Sequence, residues 1–95
     1  MDLQGKTALV TGAGVRIGRA IALALAARGC ALFIHYGRSG GPAEAVRDEA
    51  RGLGVDAQVF GADLADADQV ARILPAATAA FDGVDVLVNN AAIFP

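Results

Sequence analysis

The segment Thr11-Gly12-Ala13-Gly14-Val15-Arg16-Ile17-Gly18 carries the most distinct chemical signal in the chain. Glycines at a strand-to-helix junction let the main chain come close to a diphosphate. The helix start beyond them offers free N–H groups and a partial positive charge. Gly12, Gly14, Arg16, Ile17 and Gly18 are therefore candidates to hold a dinucleotide, with Gly18 also letting the helix pack closely on the sheet. A glycine pattern gains meaning from its neighbours, and this one follows an apolar run and opens a helical one. The alternative is a glycine-rich turn with no ligand. Thr11 is expected to stabilise that turn without a chemical role.

A second group bears on which dinucleotide. An NAD site usually places Asp or Glu near the end of the second strand, about 20 residues past the glycines, to accept the ribose 2′-hydroxyl. At that place stand His35, Tyr36, Gly37, Arg38 and Ser39, and none is a carboxylate. A carboxylate would repel a 2′-phosphate, whereas Arg38 can donate two parallel hydrogen bonds to one. Ser39 and the Gly40 amide can add donors. The expected cofactor is therefore NADP(H), against the alternative that Arg38 is a solvated loop arginine. His35 reads as a strand residue rather than a catalyst. Asn89 and Asn90 lie at the carboxyl end of a central strand, where open sheets bind ligands.

These residues need elements to position them. In Lys6–Thr11 the apolar residues Ala8, Leu9 and Val10 follow one another without alternation, which suits a strand buried on both faces. Ile17, Ile21, Leu25 and the alanines between them recur at helical spacing to Arg28, and Gly29 is a stop that tolerates the left-handed conformation. Ala31–Tyr36 reads as a strand and Gly37–Gly41 as a loop. Pro42–Leu53 is helical, with Ala43, Val46, Ala50 and Leu53 on one face and Pro42 in a first turn that has no use for its N–H. Val55–Phe60 is a weaker strand. Asp66 and Gln69 have the spacing of an N-cap and its reciprocal partner. Val70, Ile73, Leu74, Ala77 and Phe81 then mark a helical face that Pro75 must kink or split. Asp82-Gly83 is a turn, and Val84–Asn89 a fourth strand. Strands alternating with helices predict a doubly wound α/β fold, a parallel sheet of order 3-2-1-4 covered on both faces.

Thr11-Gly12-x-x-x-x-x-Gly18 resembles the Thr-Gly-x-x-x-Gly-x-Gly pattern of the short-chain dehydrogenase/reductase family. Asp63-Leu64 is similar to that family's adenine-binding position, and Asn89-Asn90-Ala91-Ala92 to its Asn-Asn-Ala-Gly motif. These motifs span nearly the whole chain in the family's order. The resemblance implies cofactor contacts at Asp63, Leu64, Asn90, Ala91 and Ala92. Two departures, Arg16 and Ala92 where the pattern has glycine, resemble pteridine reductases of the family. So does His35-Tyr36-Gly37-Arg38-Ser39, which implies cofactor contacts at His35 and Tyr36. By the same resemblance Arg16 meets the diphosphate and the substrate, and Phe94 stacks on a pterin-like ring. Ile93 departs from that subgroup, where the place is polar.

The family's reaction uses a Tyr-x-x-x-Lys pair and a serine. The sole tyrosine here, Tyr36, has Gly40 four places on, Lys6 is the sole lysine, and the sole serine, Ser39, lies in the phosphate loop. No catalytic residue is assigned. The expectation is that residues 1–95 are the cofactor-binding N-terminal portion of a single Rossmann domain. It belongs to a reductase that passes hydride to a carbonyl or pterin-like C=N bond. The alternatives are a non-catalytic dinucleotide-binding module and a flavin or nucleotide-sugar protein of similar fold.

Composition excludes other classes. A net charge of −2 gives no basic field for nucleic acid. One cysteine and one histidine cannot build a zinc cluster, and a lone Cys30 fits a reducing compartment. No apolar run reaches the ~18 residues of a membrane span, and the N-terminus lacks a secretory pattern. The cytoplasm and a small-molecule substrate are expected, and the family implies a homo-oligomer. Because 55% of the 95 residues are hydrophobic, the chain alone is expected to be poorly soluble or self-associating.

Overall fold

A computed structural model of the chain describes residues 2–13, 16–38 and 40–90. The elements alternate: β1 (Thr7–Thr11), α1 (Arg16–Ala27), β2 (Ala31–Tyr36), α2 (Gly40–Gly52), β3 (Ala57–Gly61), α3 (Ala67–Val70), α4 (Ile73–Phe81) and β4 (Val86–Asn89). The four strands form one parallel sheet in the order β3-β2-β1-β4. The doubly wound arrangement expected from the alternation is what the chain adopts.

Two apolar layers hold the sheet. On one face Ala8, Val10, Leu32 and Ile34 pack with Ala22 and Ala26 of α1 and with Ala43, Val46 and Ala50 of α2. On the other, Leu9 and Phe33 meet Ile73 and Ala77 of α4. Phe33 stands between Phe60, 5.7 Å away, and Phe81, 6.3 Å away and edge-on. Every residue of β1 is buried, as its unbroken apolar run requires.

Helix α1 buries Ala22 and Ala26 more deeply than its isoleucines. Its buried residues are Gly18, Ala22 and Ala26. This small-residue face lets α1 approach the sheet closely, while Ile17 is 69% exposed. The helix ends as Gly29 predicts, at φ +90°. There Gly29 N donates to Ala26 O and Cys30 N to Leu25 O, the paired bonds of a Schellman cap. Cys30 is buried beneath that cap with its Sγ 3.4 Å from Leu3 O. Burial, aided by the Asp85 charge, pushes its thiol up in pKa and keeps it protonated and unreactive.

Other expectations shift at element ends. Helix α2 begins two residues before Pro42, which remains within the first turn. Leu53 lies just past its end and is exposed, so it leaves the apolar face. Pro75 splits the third helical stretch: α3 stops at Val70 and α4 starts at Ile73. A proline at 75 has no N–H for the Ala71 carbonyl, and its ring crowds that carbonyl. Strand β4 begins at Val86 rather than Val84, because Asp85 closes the ladder with its side chain. Thr7 N donates to Asp85 Oδ2 at 2.9 Å, and Asp85 N donates to Thr7 O at 2.9 Å.

Candidate functional site

The register aligns Phe60, His35, Thr11 and Asn89 in one row across the carboxyl rim of the sheet. The β1–α1 junction rises from the middle of that row. Gly12 takes φ +65°, a left-handed conformation that suits glycine. Its N–H donates to His35 O at 3.1 Å. Its carbonyl accepts from Asn90 Nδ2 at 3.3 Å. The Thr11 hydroxyl accepts from Asn90 N at 3.0 Å and donates to Asn89 Oδ1 at 3.1 Å. Thr11 is therefore the joint between β1 and the end of β4, a structural role that agrees with the sequence reading. Asn89 and Asn90 meet the same junction.

Gly18 shows how tight this junction is. A Cβ built there would lie 2.2 Å from Gly12 O and 2.6 Å from Asn90 Nδ2. The first turn of α1, the Gly12 turn and the end of β4 therefore pack with no room between them. The helix start is held over the rim, where its amides can meet an anion.

Arg16 opens α1 at φ +40°, a backbone that a side chain seldom adopts. It occupies the place where the family pattern has glycine. Left-handed backbone costs a non-glycine residue roughly 1–2 kcal/mol. Arg16→Gly is therefore expected to raise stability by about 1 kcal/mol in chemical denaturation while weakening dinucleotide binding. A variant less stable than the parent would contradict the strain argument.

Arg38 lies on an exposed bend after β2, and its guanidinium has no hydrogen bond or ion pair among the described residues. Tyr36, half-buried, packs its ring over Gly61, where a Cβ would stand 2.9 Å from the ring, and against Gly40. It fixes the base of the Arg38 bend to the end of β3. His35 differs from the expected direct contact. Its side chain is 1% exposed, with Nε2 2.7 Å from Ala62 O, so it offers no surface to a ligand.

Asp63 is exposed after β3, and its Oδ1 accepts from Ala65 N at 2.9 Å. Leu64 is half-buried and lines a trough of about 480 Å³ with Leu9, Thr11, Val70, Ile73, Leu74, Leu87 and Asn89. Asp66 caps α3 as its spacing predicts, its carboxylate accepting from Asp68 N and Gln69 N. Gln69 Nε2 returns a bond to Asp66 Oδ2, and Gln69 Oε1 accepts from Asp63 N at 2.8 Å. The Gln69 side chain thus reaches past the cap to anchor Asp63. Spacing alone showed the cap and missed this second role. Two further contacts were illegible, Asn90 on Gly12 and His35 on Ala62, because each joins residues distant in sequence.

Bonds from Gln69 hold the Asp66 carboxyl below the usual carboxylate range. A lowered folded-state value means the cap contributes stability above the ordinary carboxylate pKa and loses it as pH falls through the lowered one. Acidification through that range is expected to loosen α3 and the Asp63 turn. Asp66→Asn should flatten the acid limb of amide-exchange protection in residues 63–70; an unchanged limb would contradict this.

Gly14, Ser39, Ala91, Ala92 and Phe94 lie outside the described residues. Among the described residues no three His, Cys, Asp or Glu side chains could share a metal, and no helix is long and apolar enough to cross a membrane.

Comparison with known proteins agrees with this geometry. The profile of the family described as short chain dehydrogenase matches residues 6–95. A 3-oxoacyl-[acyl-carrier-protein] reductase FabG of Staphylococcus aureus is 47% identical over 88 residues, covering 93% of this chain and 36% of the relative. Versicolorin reductase stcU of Emericella nidulans is 44% identical over 91 residues, covering 96% of this chain and 34% of that protein. The crystal structure of a short chain dehydrogenase from Burkholderia cenocepacia in complex with NADP superposes with a TM-score of 0.93 at 45% identity, over 100% of this chain and 39% of that one. The chain thus spans little more than a third of the length of these relatives. With the glycine junction, the rim and the strand order all in place, the chain belongs to the short chain dehydrogenase family.

Proposed function

We propose that residues 1–95 form the NADP(H)-binding N-terminal portion of a reductase in this family. The observation that carries the reading is the Gly12–Gly18 junction, closed so tightly that no Cβ fits at Gly18. It aims the start of α1 at the rim, where a diphosphate gains most from free amides and the helix dipole. Gly12, Gly14, Arg16 and Ile17 would hold that diphosphate. Arg38, exposed and unpaired among the described residues, with Ser39 beside it, would hold the 2′-phosphate. Asp63 and Leu64 would meet the adenine, and Asn90, Ala91 and Ala92 would continue the site past β4. Once bound, a reduced nicotinamide supplies the hydride that a carbonyl or pterin-like C=N bond accepts. Arg16 and Phe94 are the residues proposed to meet that substrate. Cytoplasmic location and homo-oligomeric assembly follow as expectations from the same family reading.

A second reading is a dinucleotide-binding module without turnover. Calorimetric titration tests the shared part of both readings, with NADPH expected to bind well and NADH much more weakly. Equal affinity for the two would overturn the 2′-phosphate assignment, and binding of neither would overturn the dinucleotide assignment. Addition of a segment carrying Tyr-x-x-x-Lys separates the readings: turnover on a carbonyl or pterin supports the first, and its absence the second.

A further inference from the structure

His35 is the one histidine of the chain, and it sits inside the sheet rather than at the ligand. On β2 it follows Phe33 on the α4 face, next to Thr11 of β1 and Phe60 of β3. Its Nε2 is 2.7 Å from Ala62 O. A carbonyl only accepts, so Nε2 carries the proton and donates. Nδ1 is buried with no partner among the described residues. An unmet buried acceptor costs about 1–3 kcal/mol. A phenylalanine would fill this slot without that cost, so packing alone does not account for an imidazole here. What the imidazole adds is the bond to Ala62.

Ala62 is the last buried residue before the exposed Asp63. Its N–H already donates to Tyr36 O, extending the β2–β3 ladder by one step. With His35 on its carbonyl, both polar groups of this peptide are fixed to β2. Beyond it, Asp63 N is held by Gln69 Oε1, and Asp66 N donates to Asp63 O. The Asp63 main chain is thus pinned from the sheet by His35, through Ala62, and from α3 by Gln69, while its carboxylate accepts from Ala65 N.

We infer that His35 is a positioning residue for adenine recognition, its Nε2–H holding the Ala62 carbonyl so that Asp63 and Leu64 stand in register with the adenine ring. The inference rests on the proposed reading of Asp63 as the adenine contact. A carboxylate there accepts from the adenine 6-amino group. It repels the 6-oxo group of hypoxanthine, so the site should discriminate between NADPH and its deamino analogue.

The experiment compares binding of NADPH and deamino-NADPH to the parent chain, His35→Leu, His35→Gln and Asp63→Asn, with a melting curve for each. The parent is expected to prefer NADPH by about tenfold, the factor that about 1.4 kcal/mol of polar discrimination gives. His35→Leu should lose most of that preference by weakening NADPH alone, with deamino-NADPH bound as before. His35→Gln, whose amide N–H can reach the Ala62 carbonyl, should restore it. Retention of the full preference by a folded His35→Leu would overturn the inference and leave the Asp63 reading standing. No preference in the parent, or none lost in Asp63→Asn, would overturn the Asp63 reading itself. If His35→Leu does not fold, failure of His35→Gln to keep the preference while folded overturns the inference instead.

Discussion

Arg38→Asp is expected to lower affinity for NADPH by two to three orders of magnitude and to leave NADH binding unchanged or improved. The parent arginine can give the 2′-phosphate two charge-assisted hydrogen bonds, each worth about 1.5–3 kcal/mol. The aspartate removes both and places a like charge beside the phosphate. A loss of about 3–4 kcal/mol corresponds to roughly 100- to 1,000-fold in Kd. With NADH the new carboxylate instead finds a ribose 2′-hydroxyl to accept from. Arg38 is exposed and makes no bond among the described residues, so the melting temperature should not move. Calorimetric titration with both nucleotides, beside a melting curve, decides it. Parallel losses for NADPH and NADH would place Arg38 elsewhere than at the 2′-phosphate.

The second large effect is expected at Gly18. Even alanine there brings a Cβ within 2.2 Å of a main-chain carbonyl oxygen, a contact no side-chain adjustment relieves. Either α1 moves away from β1, or the Gly12 turn opens and releases Asn90. Overpacking of this kind costs typically 1–3 kcal/mol and sometimes more. In a domain of this size that lowers Tm by roughly 10 °C or more. Valine should be worse than alanine, and dinucleotide binding should disappear with both. Gly37→Ala is the matched control, because its Cβ meets nothing within 4 Å. A Gly18→Ala variant that melts with the parent and still binds NADPH would show that the junction is looser than described.

Much of this architecture is legible in the sequence. The buried β1 announced itself because its apolar residues run without alternation. The stop at Gly29, the cap at Asp66 and the break before Pro75 each follow from local backbone chemistry, which sequence carries directly. Helix α1 shows what spacing leaves open: Gly18, Ala22 and Ala26 are its buried residues, while Leu23 and Leu25 pack partly buried at the margin of the same core. Ile17 is left facing outward. Proximity between layers is a tertiary quantity, and no periodicity encodes it.

The site divides along the same line. The Gly12–Gly18 segment and the carboxylate-free end of β2 are contiguous, so residue types and spacing suffice to single them out as candidates. The bonds that hold the rim join positions far apart in the chain, such as Asn90 with Gly12 and His35 with Ala62. His35 shows the cost of reading a segment by likeness alone. The string His35–Arg38 lies on one short stretch, yet strand alternation turns His35 into the core while Arg38 emerges on the following bend.

The strand order has a practical corollary for anyone wishing to redesign this chain. On the proposed reading Arg38, Asp63 and Leu64, which would meet the nucleotide's adenosine end, follow β2 and β3 on one side of β1, and β4 lies on the other. That reading allots coenzyme preference and choice of reactant largely to different stretches of polypeptide. Grafting residues 31–66 into a related scaffold should transplant the former and leave the latter with the host.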